Sequence, residues 1–182
     1  MLRTISQVDA YPVLYPVAGY FKFFENAAGR PFGRPAVLVR LTADDGTEGW
    51  GECVPSPRWS YETVDTVVST IRHYLAPELV GRDPFDAAAL HALMNRAIAP
   101  SFSTGQPICK AGIDLALFDL TGKLLNLPAS RRWRRDDRRS VRLSWTLNPR
   151  SPGEVEQIVQ QAHERGYRDF NIKVAPDPAV DL

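Results

Sequence analysis

The chain has 182 residues, of which 44% are hydrophobic and 24% are charged, and its formal net charge is +1 at pH 7. This composition is typical of a folded globular protein and argues against disorder along the whole chain. A net charge so close to zero gives no global attraction to nucleic acid or membranes, and no apolar run is long enough for a secretory signal core or a membrane span.

The first part of the chain predicts a small antiparallel sheet. Residues 3–15 alternate in polarity and include several β-branched side chains, as expected of a strand. The stretch 16–35 is rich in Gly, Pro and aromatic residues, which is typical of a loop. Residues 36–53 predict a hairpin, because strand-like runs flank the turn sequence Asp-Asp-Gly at 44–46.

Three helices are predicted next. The first covers residues 60–79, with Ser60 as its expected N-cap, and the second begins with Asp83 as N-cap and Pro84 in its first turn. In the third helix, over residues 106–128, helical spacing places five apolar residues near one face: Ile108, Ala111, Leu115, Phe118 and Leu125.

An arginine-rich stretch, residues 129–140, interrupts this pattern. Basic residues with an interleaved aromatic, Trp133, suit the phosphates and bases of nucleic acid. The alternative is a solvated linker between two domains, and Asp136 and Asp137 within the stretch favour it. We place a domain boundary at about residue 140.

The remaining sequence predicts a strand, a helix and a second strand. Ser151 is the expected helix cap, Pro152 takes the first helical position, and Gly166 ends the helix. A strand–helix–strand order implies two parallel strands joined by a right-handed crossover.

A single lysine, Lys173, stands in the second of these strands. Strand alternation puts Asn171 and Lys173 on one face, as it does Ser144 and Thr146 in the first strand, and the other face carries Phe170, Ile172 and Val174. If the sheet closes into a (β/α)8 barrel, Lys173 lies at the strand end where active sites are built. The residues alone leave two interpretations open, a base for chemistry or a lysine extended into solvent.

Three segments together resemble the enolase superfamily, of the mandelate racemase/muconate lactonizing enzyme type. They are the hairpin VLVRLTADDGTEGWGEC, the helix AGIDLALFDLTGKLLNLP, and SWTL followed after one helix by GYRDFNIKV. The resemblance implies an α+β capping domain (an antiparallel sheet plus helices) over residues 1–125. It further implies an Arg-rich linker over 126–140 and the first strands of a truncated (β/α) barrel over 141–182.

The resemblance also implies a chemistry. In such enzymes a Lys or His base removes the proton next to a substrate carboxylate while Mg²⁺ stabilises the enediolate. Lys173 matches the base lysine of the family's Lys-x-Lys motif, and Asn171 replaces the leading lysine. Asn171 cannot lower the pKa of Lys173 by charge repulsion, but it can hydrogen-bond a substrate or the lysine amine.

We expect this chain to be a fragment or truncated product. A full barrel takes about 250 residues, and only about 40 follow residue 140. The resemblance places the Mg²⁺ ligands and the second acid/base beyond Leu182, so no metal site is expected in this chain. We therefore expect little or no metal-dependent activity from it alone, and Mg²⁺-dependent turnover by the purified chain would refute this.

By the same resemblance, two loops of the capping domain select the substrate. The matching stretches are residues 18–33 and 54–63. The candidate substrate-binding residues, with two from the first barrel strand, are Tyr20, Phe24, Trp59, Tyr61, Ser144 and Thr146. Aromatic side chains over a pocket select shape and exclude water. The alternative is that these aromatics only pack against the sheet or each other.

The leading hypothesis is thus the N-terminal part of a cytoplasmic, Mg²⁺-dependent dehydratase, racemase, epimerase or cycloisomerase acting on a small carboxylic acid. The full-length protein is expected to form a homo-oligomer and to have no membrane partner. Two alternatives are a non-catalytic oligomerisation or ligand-binding module and, least favoured, a nucleic-acid binder built on the arginine-rich stretch. Cys53 and Cys109 fit no metal or redox spacing and are expected to be free thiols in a reducing cytoplasm.

Overall fold

The structure, a computed structural model, describes residues 3–16, 33–57, 60–132, 140–172 and 174. Its described residues divide into two compact units, the first ending at Arg132 and the second starting at Ser140. In chain order the elements are β1 (Ile5–Tyr15), β2 (Arg34–Ala43), β3 (Glu48–Cys53), α1 (Val64–Thr70), a π-helical turn (Ile71–Leu75), α2 (Ala76–Leu79), α3 (Ala87–Ala97), α4 (Pro107–Leu124), α5 (Ala129–Arg132), β4 (Ser144–Leu147), α6 (Glu154–Glu164) and β5 (Asp169–Ile172).

The first unit is built on an antiparallel sheet in the order β1-β2-β3, as predicted. Val39 in the central strand pairs with Ala10 on one side and Gly51 on the other. The turn between β2 and β3 contains Gly46 at φ +84°, a conformation that glycine adopts without strain. One face of the sheet is fully buried under the helices, through Val37, Val39 and Leu41. The predicted α+β class is therefore confirmed.

The predicted helices exist, but their predicted caps are wrong. The first helix starts at Val64, and its N-cap is Thr63, which forms a reciprocal capping box with Thr66 rather than a cap at Ser60. The next starts at Ala87, because the Asp86 side chain accepts the N–H of Ala89 at 3.0 Å. Asp83 instead accepts the N–H of Phe85 in the preceding turn.

The apolar face that helical spacing picks out on α4 is not the face that enters the core. Ala111 is exposed, and Leu115 and Leu125 are about half exposed at 53% and 49%. The face that enters the core lies on nearly the opposite side of the helix and includes several small residues: Cys109, Gly112, Ile113, Ala116, Leu117, Leu120 and Thr121. Small residues there allow α4 to lie close against the sheet.

The second unit is a parallel β4–β5 pair joined by α6, as predicted. Gly166 ends the helix at φ +86°, and the Tyr167 N–H reaches back to the Ala162 carbonyl at 3.0 Å. The predicted cap at Ser151 and first helical position at Pro152 are wrong, because the helix begins two residues later, at Glu154, with Gly153 at its N-cap. The helix packs on one face of the strand pair, where His163 meets the Phe170 ring at 5.3 Å.

Part of the chain predicted as the Arg-rich linker falls in α5, and residues 133–139 lie outside the described residues. The proposed division into 1–125, 126–140 and 141–182 stays a prediction. Within the described ranges, no helix is both long enough and apolar enough to cross a membrane.

Candidate functional site

Three polar side chains form a row on the β4–β5 face turned away from α6. The register places Thr146 opposite Asn171 and Ser144 opposite Asp169. The Asn171 amide donates to the Ser144 hydroxyl at 3.1 Å, so the row is connected across the strands. All three residues, Ser144, Thr146 and Asn171, are exposed to solvent. The structure thus brings together the predicted barrel-side residues that it describes.

The other predicted site residues are described only in part. Lys173 lies outside the described residues, so its role as base stays a prediction. Tyr20, Phe24 and Trp59 also lie outside them. Tyr61 belongs to the first unit and is 54% exposed, which leaves its ring available for a ligand.

The segment that carries Tyr61 is anchored by a buried carboxyl group that sequence analysis did not single out. Glu62 is 1% exposed, and its two oxygens accept the N–H groups of Ile108 and Cys109, both at 2.8 Å. These are two of the orphan donors in the first turn of α4, where Gln106 provides no side-chain cap. Glu62 therefore links the end of the second loop to the start of α4.

The sequence signal for this contact is weak. An acidic residue immediately before the cap Thr63 is visible in the sequence, but its partners lie 46 and 47 positions away. No local pattern reports a partner at that separation. The contact could be predicted only if the start of α1 and the start of α4 were both known.

The hairpin and helix motifs that carried the resemblance contact each other directly. Asp119 on α4 accepts the N–H of Trp50 in β3 at 2.8 Å. Lys123, one turn later, donates to Asp119 at 2.7 Å and to the Glu48 carbonyl at 2.9 Å. These residues hold strand β3 on α4, so this part of the motif has a structural role in the first unit.

Two buried thiols lie at the same helix–strand contact. Cys53 and Cys109 are free, as predicted, and Cys53 Sγ lies 3.6 Å from the Cys109 carbonyl oxygen. Burial raises the pKa of the Cys53 thiol to about 12 and raises the pKa of Cys109 as well. Both groups are therefore neutral and poorly nucleophilic at neutral pH.

We expect neither thiol to react with a disulfide reagent at about pH 8 until the first unit unfolds. Because the unfolded thiols ionise near 9.0 and the folded ones only at higher pH, the unfolded state loses protons first. The free energy of unfolding should then fall as the pH rises above 9.0 and be insensitive to these groups below it. Thiol labelling with and without urea, and urea unfolding across this pH range, check both statements. Rapid labelling of the folded chain would contradict the first.

The described residues do not fit the Mg²⁺ site that the family resemblance implies. Among them, no group of three or more His, Cys, Asp or Glu side chains is arranged to hold a metal ion. On the strand face that carries Ser144, Thr146 and Asn171, the register adds one carboxylate, that of Asp169. One carboxylate beside hydroxyl and amide groups does not make up such a group of three.

Comparison with known proteins identifies the family. The family profile described as "Mandelate racemase / muconate lactonizing enzyme, N-terminal domain" matches residues 25–131. The chain is 35% identical over 150 residues to a chloromuconate cycloisomerase of Cupriavidus necator, covering 80% of this chain and 39% of the relative. It is 26% identical over 178 residues to the N-succinyl-L-Arg/Lys racemase of Bacillus cereus, covering 98% of this chain and 46% of the relative.

A solved structure agrees with these matches. The 2-chloromuconate cycloisomerase of Rhodococcus opacus 1CP superposes with a TM-score of 0.80 at 27% identity, over 98% of this chain and 45% of that one. The chain thus spans less than half the length of the curated relatives reported above. It belongs to the mandelate racemase/muconate lactonizing enzyme family of the enolase superfamily.

Proposed function

We propose that this chain is the N-terminal part of an enzyme that removes the proton alpha to the carboxylate of a small carboxylic acid. The product would be that of a racemase or epimerase, a cycloisomerase or a dehydratase. The observation that carries the proposal is the row of Ser144, Thr146 and Asn171, which ends two residues before Lys173. The names of the relatives, a racemase and cycloisomerases, support it.

Lys173 and the row have different parts in this proposal. The neutral amine of Lys173 takes the proton from the α-carbon, and the electron pair left behind moves into the carboxylate, which becomes an enediolate. The hydroxyls of Ser144 and Thr146 and the amide of Asn171 can donate to oxygens that gain negative charge in this step. Tyr61, on the first unit, stays a predicted substrate-binding residue by family resemblance alone. Mg²⁺ would supply further charge stabilisation in the longer protein, from ligands other than the described residues.

Hydrogen–deuterium exchange at the α-carbon tests the proposed base. The protein to use is the sequence continued along its native reading frame, with N-succinyl-L-lysine as the probe, incubated in D₂O and followed by NMR. We expect Lys173→Ala to slow exchange by about a thousandfold, because general-base catalysis typically contributes 10²–10⁴. The exposed Glu156→Gln on α6 is the matched control and should leave the rate unchanged. Exchange at the same rate in Lys173→Ala would overturn the assignment.

Because Asn171 is uncharged, we expect the pKa of Lys173 to be higher than it would be beside a lysine at position 171. Asn171→Lys should lower the pKa of Lys173 by about 0.5–1, because a second ammonium on the same strand face disfavours the charged form. The chain has four lysines, so their side-chain methylene signals can be followed by NMR during a pH titration. Asn171→Gln keeps an amide and should leave the pKa in place. An unchanged value in Asn171→Lys would mean that the two side chains do not share a face.

The cellular setting is also part of the proposal. Two buried, unpaired cysteines support a reducing compartment such as the cytoplasm. Assembly of the longer protein into a homo-oligomer stays a prediction, which sedimentation of that protein would decide. The non-catalytic alternative predicts no α-carbon exchange with any small carboxylic acid.

A further inference from the structure

Three arginines line one cavity at the edge of the second unit where its two strands begin. The cavity has a volume of about 460 Å³, and its lining consists of Arg142, Leu143, Arg165, Gly166, Tyr167 and Arg168. The topology explains their convergence. Because Ser144 pairs with Asp169, the residues preceding the two strands are neighbours, and the C-terminal end of α6 returns to the same edge.

Two of the three guanidinium groups are held in place by the fold. Arg168 Nη1 donates to the carbonyls of His163 at 3.0 Å and Tyr167 at 2.8 Å. The guanidinium of Arg165 lies over the Trp145 ring, 5.3 Å from its centre. A guanidinium has five N–H donors, so a group fixed through one nitrogen still offers a fork of donors to a ligand. Such fixed groups lose little side-chain entropy on binding.

The third arginine is held only loosely. Arg142 Nε lies 3.4 Å from an Asp169 carboxyl oxygen, and its side chain is 80% exposed. The Asp169 oxygen that it approaches is buried and accepts no hydrogen bond, so a ligand that draws Arg142 away must offset the loss of this ion pair.

Charges in the described part of this unit are segregated along the strand direction. Its arginines and its Asp and Glu residues are equal in number, four of each. Three of the arginines line the cavity, whereas Arg150, Glu154 and Glu156 lie at the opposite end of α6. The acidic residues at the arginine edge are Asp169 and Glu164, so this edge has an excess of positive charge.

We propose that this cavity binds a small, multiply charged oxyanion of the phosphate class, such as pyrophosphate or a phosphate ester. Planar guanidinium groups match the geometry of phosphate oxygens, and three of them in one cavity suit a ligand with more than one negative charge. The volume lies within the range of small-molecule sites, which favours a compact ligand over a nucleic-acid strand. The site lies at the end of β4 and β5 opposite Thr146 and Ile172, so it is independent of the proposed proton abstraction.

Titration of the chain with inorganic pyrophosphate, followed by amide NMR, tests the site. We expect saturable shifts at residues 142–143 and 165–168, with weaker binding as the salt concentration rises. Arg142→Gln should weaken binding by about fivefold, since it removes one partly exposed charge-assisted contact. Arg150→Gln removes the same charge from the other end of the unit and should weaken binding by less than about twofold.

Further variants and probes distinguish specific binding at this cavity from other causes of a spectral change. Because Arg168→Gln could disturb the end of α6, Arg168→Lys is tested beside it, and we expect it to bind more weakly while its amide spectrum stays folded. Equal losses of pyrophosphate binding in Arg142→Gln and Arg150→Gln would show that binding depends only on net charge. That result would overturn the proposal. The absence of saturable shifts up to about 10 mM pyrophosphate, or tighter binding of a short oligonucleotide than of pyrophosphate, would overturn it too.

Discussion

Replacing Glu62 with alanine should lower the free energy of unfolding of the first unit by about 4 kcal/mol. The change removes both acceptors from the N–H groups of Ile108 and Cys109 and leaves these donors without partners. It also leaves a cavity, since the Glu62 side chain is among the large, fully buried ones. Urea unfolding followed by circular dichroism measures the loss, and hydrogen exchange of the α4 amides assigns it to this unit.

Two further variants separate the carboxyl contact from general disturbance of the loop. Glu62→Gln keeps one oxygen acceptor and places an NH₂ group against the other N–H, so about half of the loss is expected. Thr63→Ala removes the neighbouring cap of α1 and should cost only about 1 kcal/mol. If Glu62→Ala and Thr63→Ala were equally damaging, the two hydrogen bonds to α4 would have no special importance.

The parts of the fold that sequence analysis predicted correctly are those with a local period. The hairpin of β2 and β3 and the unit formed by β4, α6 and β5 follow from alternation, turn residues and Gly166. The grouping of Ser144, Thr146 and Asn171 on one face follows from the same two-residue period. These features depend on residues close together in the sequence, so they can be predicted from it.

The apolar face of α4 singled out from the sequence is not the buried one, because the helix carries apolar side chains on two opposite sides. Ile108, Leu115 and Phe118 form one plausible stripe, and hydrophobic periodicity cannot rank it against the stripe on the opposite side. The choice is made by close contact with β3, where small residues on the helix meet glycines on the strand. That is a tertiary effect between segments about 60 positions apart, and Glu62 was missed for the same reason.

For the candidate site, the sequence predicted which strand residues share a face, but not the partners on which catalysis depends. The alternation of β5 explains why Asn171 faces away from α6, but the function of a base also depends on partners outside the described residues. The resemblance to a known family supplied the roles, and the structure tests the geometry of Ser144, Thr146 and Asn171 alone. Exchange in Lys173→Ala is therefore the measurement on which the functional proposal depends.

Replacing Gly51 with alanine should be the most damaging single methyl addition in the first unit, with a loss of about 3 kcal/mol or more in the free energy of unfolding. A Cβ at this position would lie well under 3.0 Å from the Gly112 carbonyl oxygen and 2.7 Å from the Ala116 nitrogen. Both are backbone atoms of α4, so no side-chain rotation can relieve the overlap, and the whole helix must move. Gly153→Ala is the matched control, because a Cβ there meets nothing within 4 Å and its φ is −68°.

Gly112 on the facing helix gives the complementary test, because its obstacle is a side chain. A Cβ on Gly112 would overlap Cys53 Sγ and lie 3.2 Å from Val39 Cγ2. Cys53→Ala removes the sulfur, so the double variant Gly112→Ala/Cys53→Ala should recover more than half of the stability lost in Gly112→Ala. Cys53→Ala should not rescue Gly51→Ala, whose overlap is with the backbone. Rescue of Gly51→Ala by Cys53→Ala, or no rescue of Gly112→Ala, would contradict the backbone and side-chain origins assigned to the two overlaps.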